Sequence, residues 1–403
     1  MEEGSKHVTG GITAPEDFRA SGVACGIKKG GNKDLAVVIS EDMASVAGVF
    51  TTNKVFAAPV SVSREHIKKG TAKAIVINSG NANACNGQEG LDNAVEMCKA
   101  TGAELGVSGY DVLVASTGII GVPLPMDNIL KGISKAAKKA DAVGGKGAAE
   151  AIMTTDTYAK EAAVEFDING RKVRIGGMAK GAGMINPDMA TMIAVITTDA
   201  RVEPVMLRDL LKEAVDATFN CITVDGDMST NDTVFIMANG ASGVKIGETG
   251  KTKRMFAEAL KHLTNDLAEE MVKDGEGASK FIQIIVDGAR DHKEAKSVGL
   301  KVANSLLVKC ALFGEDANWG RILAAVGSSG ADVDQQNIDV YIADEAVFKK
   351  GSGTAFCRDK VEELMKGKEI DIRVELNKGK GKARILTTDL TYEYVKINAQ
   401  YRT

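Results

Sequence analysis

Apolar positions along the chain follow two patterns. Short apolar runs of strand length stand at 35–39, 45–50, 74–78, 112–115, 161–166, 171–177, 192–198, 281–287, 337–343, 369–376 and 382–388. The β-branched ones, such as 74–78 and 192–198, read as strands buried on both faces. Longer stretches with apolar residues three and four apart predict helices over 88–105, 127–142, 204–217, 253–273 and 300–313. The clearest is 253–273, where Phe256, Leu260, Leu263, Leu267 and Met271 share one face before a glycine stop at Asp274-Gly275-Glu276-Gly277. Asp127 is the expected N-cap of its helix. Strands come in runs of two or more between helices, which predicts α+β layers over a doubly wound parallel sheet.

One stretch breaks both patterns. Lys180-Gly-Ala-Gly-Met-Ile-Asn-Pro-Asp-Met-Ala-Thr191 carries glycines and Asn-Pro turn chemistry, and then gives way abruptly to the buried run 192–198. Thr191 stands at the seam. Threonine is common at strand starts for structural reasons alone. The chemical alternative is attack of its hydroxyl on the carbonyl of the small Ala190, an N-to-O acyl shift, and cleavage that leaves Thr191 as a new N-terminus. A free α-amine has a pKa of about 7.7–8.0, against about 10.4 for lysine. Such a threonine would therefore carry its own base.

The remaining loops carry weaker signals. Residues 28–33 read as a solvated hairpin turn, and 79–84 as a turn or site-lining loop, because no phosphate-loop fingerprint accompanies the glycine. Strand 112–115 delivers Ser116-Thr117-Gly118, a hydroxyl and a flexible backbone N–H that could face an oxyanion. Residues 144–147 read as a hinge or loop. Asp225-Gly-Asp-Met-Ser-Thr-Asn-Asp232 looks superficially like a calcium loop but lacks the distal glutamate, so a polar loop beside the site is preferred.

Composition removes other chemistries. The net charge of −4, with no basic block, argues against nucleic-acid or anionic-membrane partners. No apolar run approaches 18 residues and no secretory signal opens the chain, so a soluble, cytoplasmic protein is expected. The six cysteines are scattered and read as buried thiols, with neither disulfides nor a zinc site. His7, His66, His262 and His292 show no metal-ligand spacing and support no Ser-His-Asp triad. No resident cofactor or metal is expected. An N-terminal nucleophile needs no histidine.

The segment 180–192 resembles the self-cleavage segment of the ornithine acetyltransferase family, the bifunctional glutamate N-acetyltransferases of the arginine pathway. The resemblance extends in order through 115–121, 153–157, 225–232, 274–278, 318–321 and the ending 397–403. One departure is Ala317, where the family commonly has proline. The resemblance implies the layered architecture of self-cleaving N-terminal-nucleophile enzymes, in two subdomains. It implies cleavage into chains 1–190 and 191–403, assembled as a heterotetramer of two copies of each. The implied activity is acetyl transfer from N2-acetylornithine to L-glutamate, with acetyl-CoA as a possible further donor. Thr191 would be the nucleophile and Thr117 and Gly118 the oxyanion hole. Thr154, Lys180, Thr191, Glu276, Asn398 and Thr403 would line the substrate site. An aminopeptidase or amidohydrolase of the same architecture, handing the acyl group to water, is the alternative enzyme. A non-enzymatic binding protein would need no cleavage.

Overall fold

The structure is a computed structural model that describes residues 4–186 and 192–400. Its first layer is a nine-stranded sheet of β1 (Lys6–His7), β2 (Phe18–Val23), β3 (Leu35–Phe50), β4 (Thr71–Asn81), β5 (Val112–Ile119), β6 (Lys160–Ile168), β7 (Arg171–Lys180), β8 (Ile193–Thr198) and β9 (Thr233–Ala238). They pair in the order β1-β6-β7-β8-β9-β3-β4-β5, with β2 beside β3. A six-stranded sheet follows, made of β10 (Phe281–Ala289), β11 (Asp339–Ile342), β12 (Glu345–Lys349), β13 (Ser352–Gly353), β14 (Glu369–Glu375) and β15 (Gly381–Thr388).

The helices are α1 (Ala58–His66), α2 (Gly87–Leu105), α3 (Met126–Lys139), α4 (Gly145–Ile152), α5 (Pro204–Ala217), α6 (Lys251–Lys273), α7 (His292–Ala303), α8 (Leu306–Phe313), α9 (Trp319–Gly327), α10 (Arg358–Met365) and α11 (Tyr392–Gln400). Strand alternation divides the large sheet's core. Ala194 and Ile196 pack with the apolar faces of α5 and α6, whereas Ile193 and Val195 face the core shared with α4. Leu35, Val37 and Ile39 pack with α2 and α3. The small sheet buries one face under α7 to α10. This is the expected α+β layering, and the two sheets are joined where Thr223 donates its N–H to Leu386 of β15 at 2.9 Å.

Several expectations change. The runs 35–39 and 45–50 form one strand of 16 residues whose pairing with β4 shifts register between Ile39 and Ala44. The α3 helix starts at Met126 after Pro125, so Asp127 sits in its first turn and is not its N-cap. Residues 144–147 are no hinge. They open α4, and their glycines allow close backbone approach: a Cβ on Gly22 would lie 1.8 Å from the carbonyl oxygen of Gly147. The stretch 300–313 is two helices, because Ser305 accepts the N–H of Val308 and starts α8 afresh. Cys85, Cys310 and Cys357 are exposed, not buried, and all six cysteines are free.

One other sequence reading fails, and one pair of residues meets unannounced. Lys28 leaves the solvated turn and donates its ammonium to the carbonyls of Lys33 (2.9 Å) and Met153 (2.6 Å). Burial lowers its pKa to about 8. His7 and His262, unrelated by sequence spacing, bring their rings to 4.8 Å. The 190/191 boundary lies between β7 and β8, which pair antiparallel from Lys180↔Ile193 to Ile175↔Thr198. The segments before and after it therefore share one sheet. Among the described residues, no helix is long and apolar enough to cross a membrane.

Candidate active site

The floor of the site is the end of the β4–β5 parallel pair. Gly80 lies opposite Gly118, whose φ of 129° and crowding exclude a side chain. A Cβ there would meet the Gly80 carbonyl carbon at 2.4 Å. Ser116 Oγ donates to Asn78 Oδ1 at 2.6 Å, fixing the strand end that presents Thr117. Asn231 ties in the carboxylate-rich loop, donating Nδ2 to the carbonyls of Ala82 (2.6 Å) and Ser116 (2.8 Å). These polar groups are buried and fully engaged, so the loop positions are fixed.

Lys180 enters from the end of β7. It is buried, and its Nζ lies 3.3 Å from Thr117 Oγ1 as donor. Burial lowers its pKa, opposed by the carboxylate of Asp156 and reinforced by the like charge of Lys160. Asp156 accepts from Lys160 Nζ (2.7 Å), the Gly181 N–H (2.8 Å) and the Thr154 N–H (2.9 Å). Burial alone would raise the Asp156 carboxyl, but Lys180 and Lys160 outweigh it and hold its pKa at about 2. Lys160 Nζ also reaches Asp274 Oδ2 at 2.5 Å, and Asp274 accepts from Thr157. A buried chain of charges thus links the loop after α4 and the ends of β7 and α6.

The mouth is built from the segment after α6, the loop before β9 and α11. The helix stop after α6 sets Glu276 against Gly183, where an added Cβ would lie 2.4 Å from the Glu276 carboxyl carbon. Asn398 of α11 donates Nδ2 to Glu276 Oε2 at 2.8 Å. Asp225 accepts the N–H groups of Met184 (2.6 Å) and Ile185 (2.9 Å) and the hydroxyl of Tyr394 (3.1 Å). Asp232 accepts the Met192 N–H at 2.9 Å, and burial raises its pKa well above the ordinary carboxylate range.

Thr117, Gly118, Thr154, Lys180, Glu276 and Asn398 together line one cavity of about 360 Å³. That volume suits an amino-acid-sized ligand, and the lining mixes an apolar wall (Ile120, Met184, Met228) with a few fixed polar groups. Residues that the sequence scattered over 282 positions are here neighbours: the span runs from Thr117 to Asn398. Thr191 and Thr403 lie outside the described residues. The roles of Asp156, Lys160, Asp274 and Tyr394 were missed. Asp156 and Asp274 stand inside the matched segments 153–157 and 274–278, but nothing local marks their partners. Among the described residues, no cluster of metal-ligating side chains lies in this cavity.

The sequence model of the ArgJ family matches residues 19–403. The chain is 49% identical over 399 residues to the arginine biosynthesis bifunctional protein ArgJ of Caldanaerobacter subterraneus subsp. tengcongensis, covering 98% of this chain and 99% of that one. It is 46% identical over 409 residues to the glutamate N-acetyltransferase of Methanocaldococcus jannaschii, covering 98% and 99% respectively. A crystal structure of arginine biosynthesis bifunctional protein ArgJ from Bacillus halodurans is 40% identical, with a TM-score of 0.49 over 51% of this chain and 97% of that one. Identity at this level over nearly the full length means that the chain belongs to the ArgJ family.

Proposed function

We infer that this chain is a glutamate N-acetyltransferase of arginine biosynthesis that moves acetyl from N2-acetylornithine to L-glutamate. The observation that carries the reading is the convergence of Thr117, Gly118, Thr154, Lys180, Glu276 and Asn398 on one cavity in a chain of this family. Both amino acids carry an α-carboxylate, and Lys180 is the cavity's cation placed to anchor it. Glu276 would hold the δ-ammonium of ornithine. Asn398 offers a donor and an acceptor beside it.

The chemistry we propose begins with cleavage. The Thr191 hydroxyl attacks the Ala190 carbonyl, the C–N bond breaks as acyl moves to oxygen, and water hydrolyses the ester. The freed α-amine of Thr191 then takes the hydroxyl proton while the oxygen attacks the acetyl carbonyl of N2-acetylornithine. Thr117 and Gly118 stabilise the oxyanion. The C–N bond breaks, the departing α-amine takes the proton, and acetyl remains as an ester on Thr191. Glutamate enters, its α-amine attacks the ester, and N-acetylglutamate leaves. The two chains, 1–190 and 191–403, stay associated because β7 and β8 are neighbours in one sheet. We place the enzyme in the cytoplasm, as a heterotetramer of two copies of each chain. Acetyl-CoA is a possible second donor, and no resident cofactor is invoked.

Intact mass tests the proposal. The wild type should give two chains ending and starting at Ala190 and Thr191, and Thr191→Ala one inactive chain. Supplying N2-acetylornithine without glutamate should add one acetyl mass to the 191–403 chain, and two-substrate kinetics should be ping-pong. Release of free acetate at the same rate with and without glutamate would favour the hydrolytic alternative.

A further inference from the structure

Outside the catalytic cavity, the edge of the large sheet holds a second cluster of chemistry. His262 and Asp266 stand one turn apart on α6, on the same face of the helix. His7 reaches them from β1, which pairs antiparallel with β6 through His7↔Val164. His7 Nδ1 and His262 Nε2 each lie 3.7 Å from Asp266 Oδ2. The three atoms all fall within 4.8 Å of one another.

Those distances are too long for hydrogen bonds. Asp266 Oδ2 is shut off from solvent and has no hydrogen-bond partner. The other nitrogen of His262, Nδ1, lies 2.8 Å from Ser5 Oγ. With the proton on Nδ1 donated to the serine oxygen, the lone pair of Nε2 is left facing Asp266. The serine hydroxyl can accept that proton, and an oxygen on the far nitrogen is the usual companion of a metal-bound imidazole. In that state two nitrogen lone pairs and a carboxylate oxygen converge on one point, a donor set that a cation between them satisfies. Burial raises the Asp266 pKa, His262 and His7 oppose that, and Glu269 and Glu270 add negative charge around it.

We propose that His7, His262 and Asp266 bind one borderline divalent cation of the zinc class, with water completing the shell, and that the ion clips the N-terminal edge strand to α6. Two imidazoles and one carboxylate suit zinc over calcium or magnesium, which prefer all-oxygen shells. Tetrahedral bonds of about 2.0–2.2 Å require ligand atoms roughly 3.4 Å apart. The pairs at 3.7 Å nearly meet this, and the wider spacing closes by turning His7, whose side chain is 64% exposed. The site lies outside the catalytic cavity, so its effect is on the anchoring of residues 4–7 and not on acetyl transfer.

The test uses full-length protein stripped with chelator and titrated with Zn²⁺ by calorimetry, and with Co²⁺ by visible absorbance. One equivalent of Zn²⁺ per 403-residue unit, cleaved or not, should bind and raise the thermal midpoint. His262→Gln and Asp266→Asn should each weaken binding at least tenfold and abolish the midpoint shift, with circular dichroism showing that they are folded. Should either variant fail to fold, the Co²⁺ spectrum of the wild type decides by itself. Nitrogen–oxygen ligation supports the site, and a thiolate charge-transfer band assigns the metal to the exposed cysteines and overturns it. Absence of stoichiometric binding, or undiminished binding in folded His262→Gln, also overturns the proposal. So does a midpoint that responds to protonation of the histidines but not to zinc.

Discussion

At the residue scale, Thr117 and Lys160 separate chemistry from support. Thr117 sits at a strand end held by Ser116 and Asn231 and shares its hydroxyl with Lys180 Nζ at 3.3 Å. Losing one oxyanion donor costs about 10²–10³ in kcat. Thr117→Ala should therefore slow steady-state transfer by that factor with little change in unfolding midpoint; an unchanged kcat would remove Thr117 from the mechanism. Lys160 is the opposite case. Its side chain is fully buried between Asp156 and Asp274. Removing one member of a buried ion group strands the others and costs about 3–5 kcal/mol. Lys160→Met should lose that much stability in urea unfolding, and adding Asp274→Asn should cost less than the sum of the single changes.

At the element scale, α11 is the part most separable from the fold. None of its residues is buried, yet Tyr394 and Asn398 reach Asp225 and Glu276 at the cavity mouth. Hydrogen bonds to charged groups contribute about 1.5–3 kcal/mol each. Ending the chain after Thr391 should therefore leave the thermal midpoint nearly unchanged while kcat/KM falls roughly a hundredfold. A large drop in the midpoint would make α11 structural. The element boundaries teach the same lesson about local and distant causes. The α5 span was legible to the residue, because its periodic face lies between Pro204 and the point where the period breaks after Ala217. β9 went unnoticed, since its five apolar residues, 234–238, follow closely on a carboxylate-rich loop. Periodicity also could not show that α7 ends at Ala303 and α8 restarts at Leu306, because a serine cap interrupts an otherwise continuous apolar pattern.

At the scale of the whole molecule, another buried lysine ties α8 to the small sheet close to where that sheet meets the catalytic layer. Lys309 of α8 donates to Thr387 Oγ1 at 2.8 Å and to the Thr388 carbonyl, both on the strand whose Leu386 meets Thr223. Burial lowers its pKa to about 8 from 10.5, against the pull of Asp389 and Asp225. Between those two values the unfolded chain binds the extra proton and the folded one does not. This lysine's contribution to stability therefore rises as pH climbs from about 8 to 10.5. Relative to Lys309→Met, the wild type should gain stability across that window in paired urea titrations. A constant difference would mean that the lysine titrates normally in the fold.

The sequence by itself determined the α+β class, most of the strands, the amphipathic faces of α5 and α6, and the family, because these rest on local periodicity and on ordered motifs. It also named the residues that turned out to share the cavity, through resemblance and not through any visible proximity. Only the tertiary structure could decide what those residues face. Lys180 is buried because its side chain reaches from the end of β7 to Thr117 on β5, and Asp156, on the loop after α4, sets its charge environment. His7 meets His262 because β1 runs along β6, over which α6 packs. Spacing along a chain encodes which face a side chain takes; the charge and burial it finds there depend on strands hundreds of residues away.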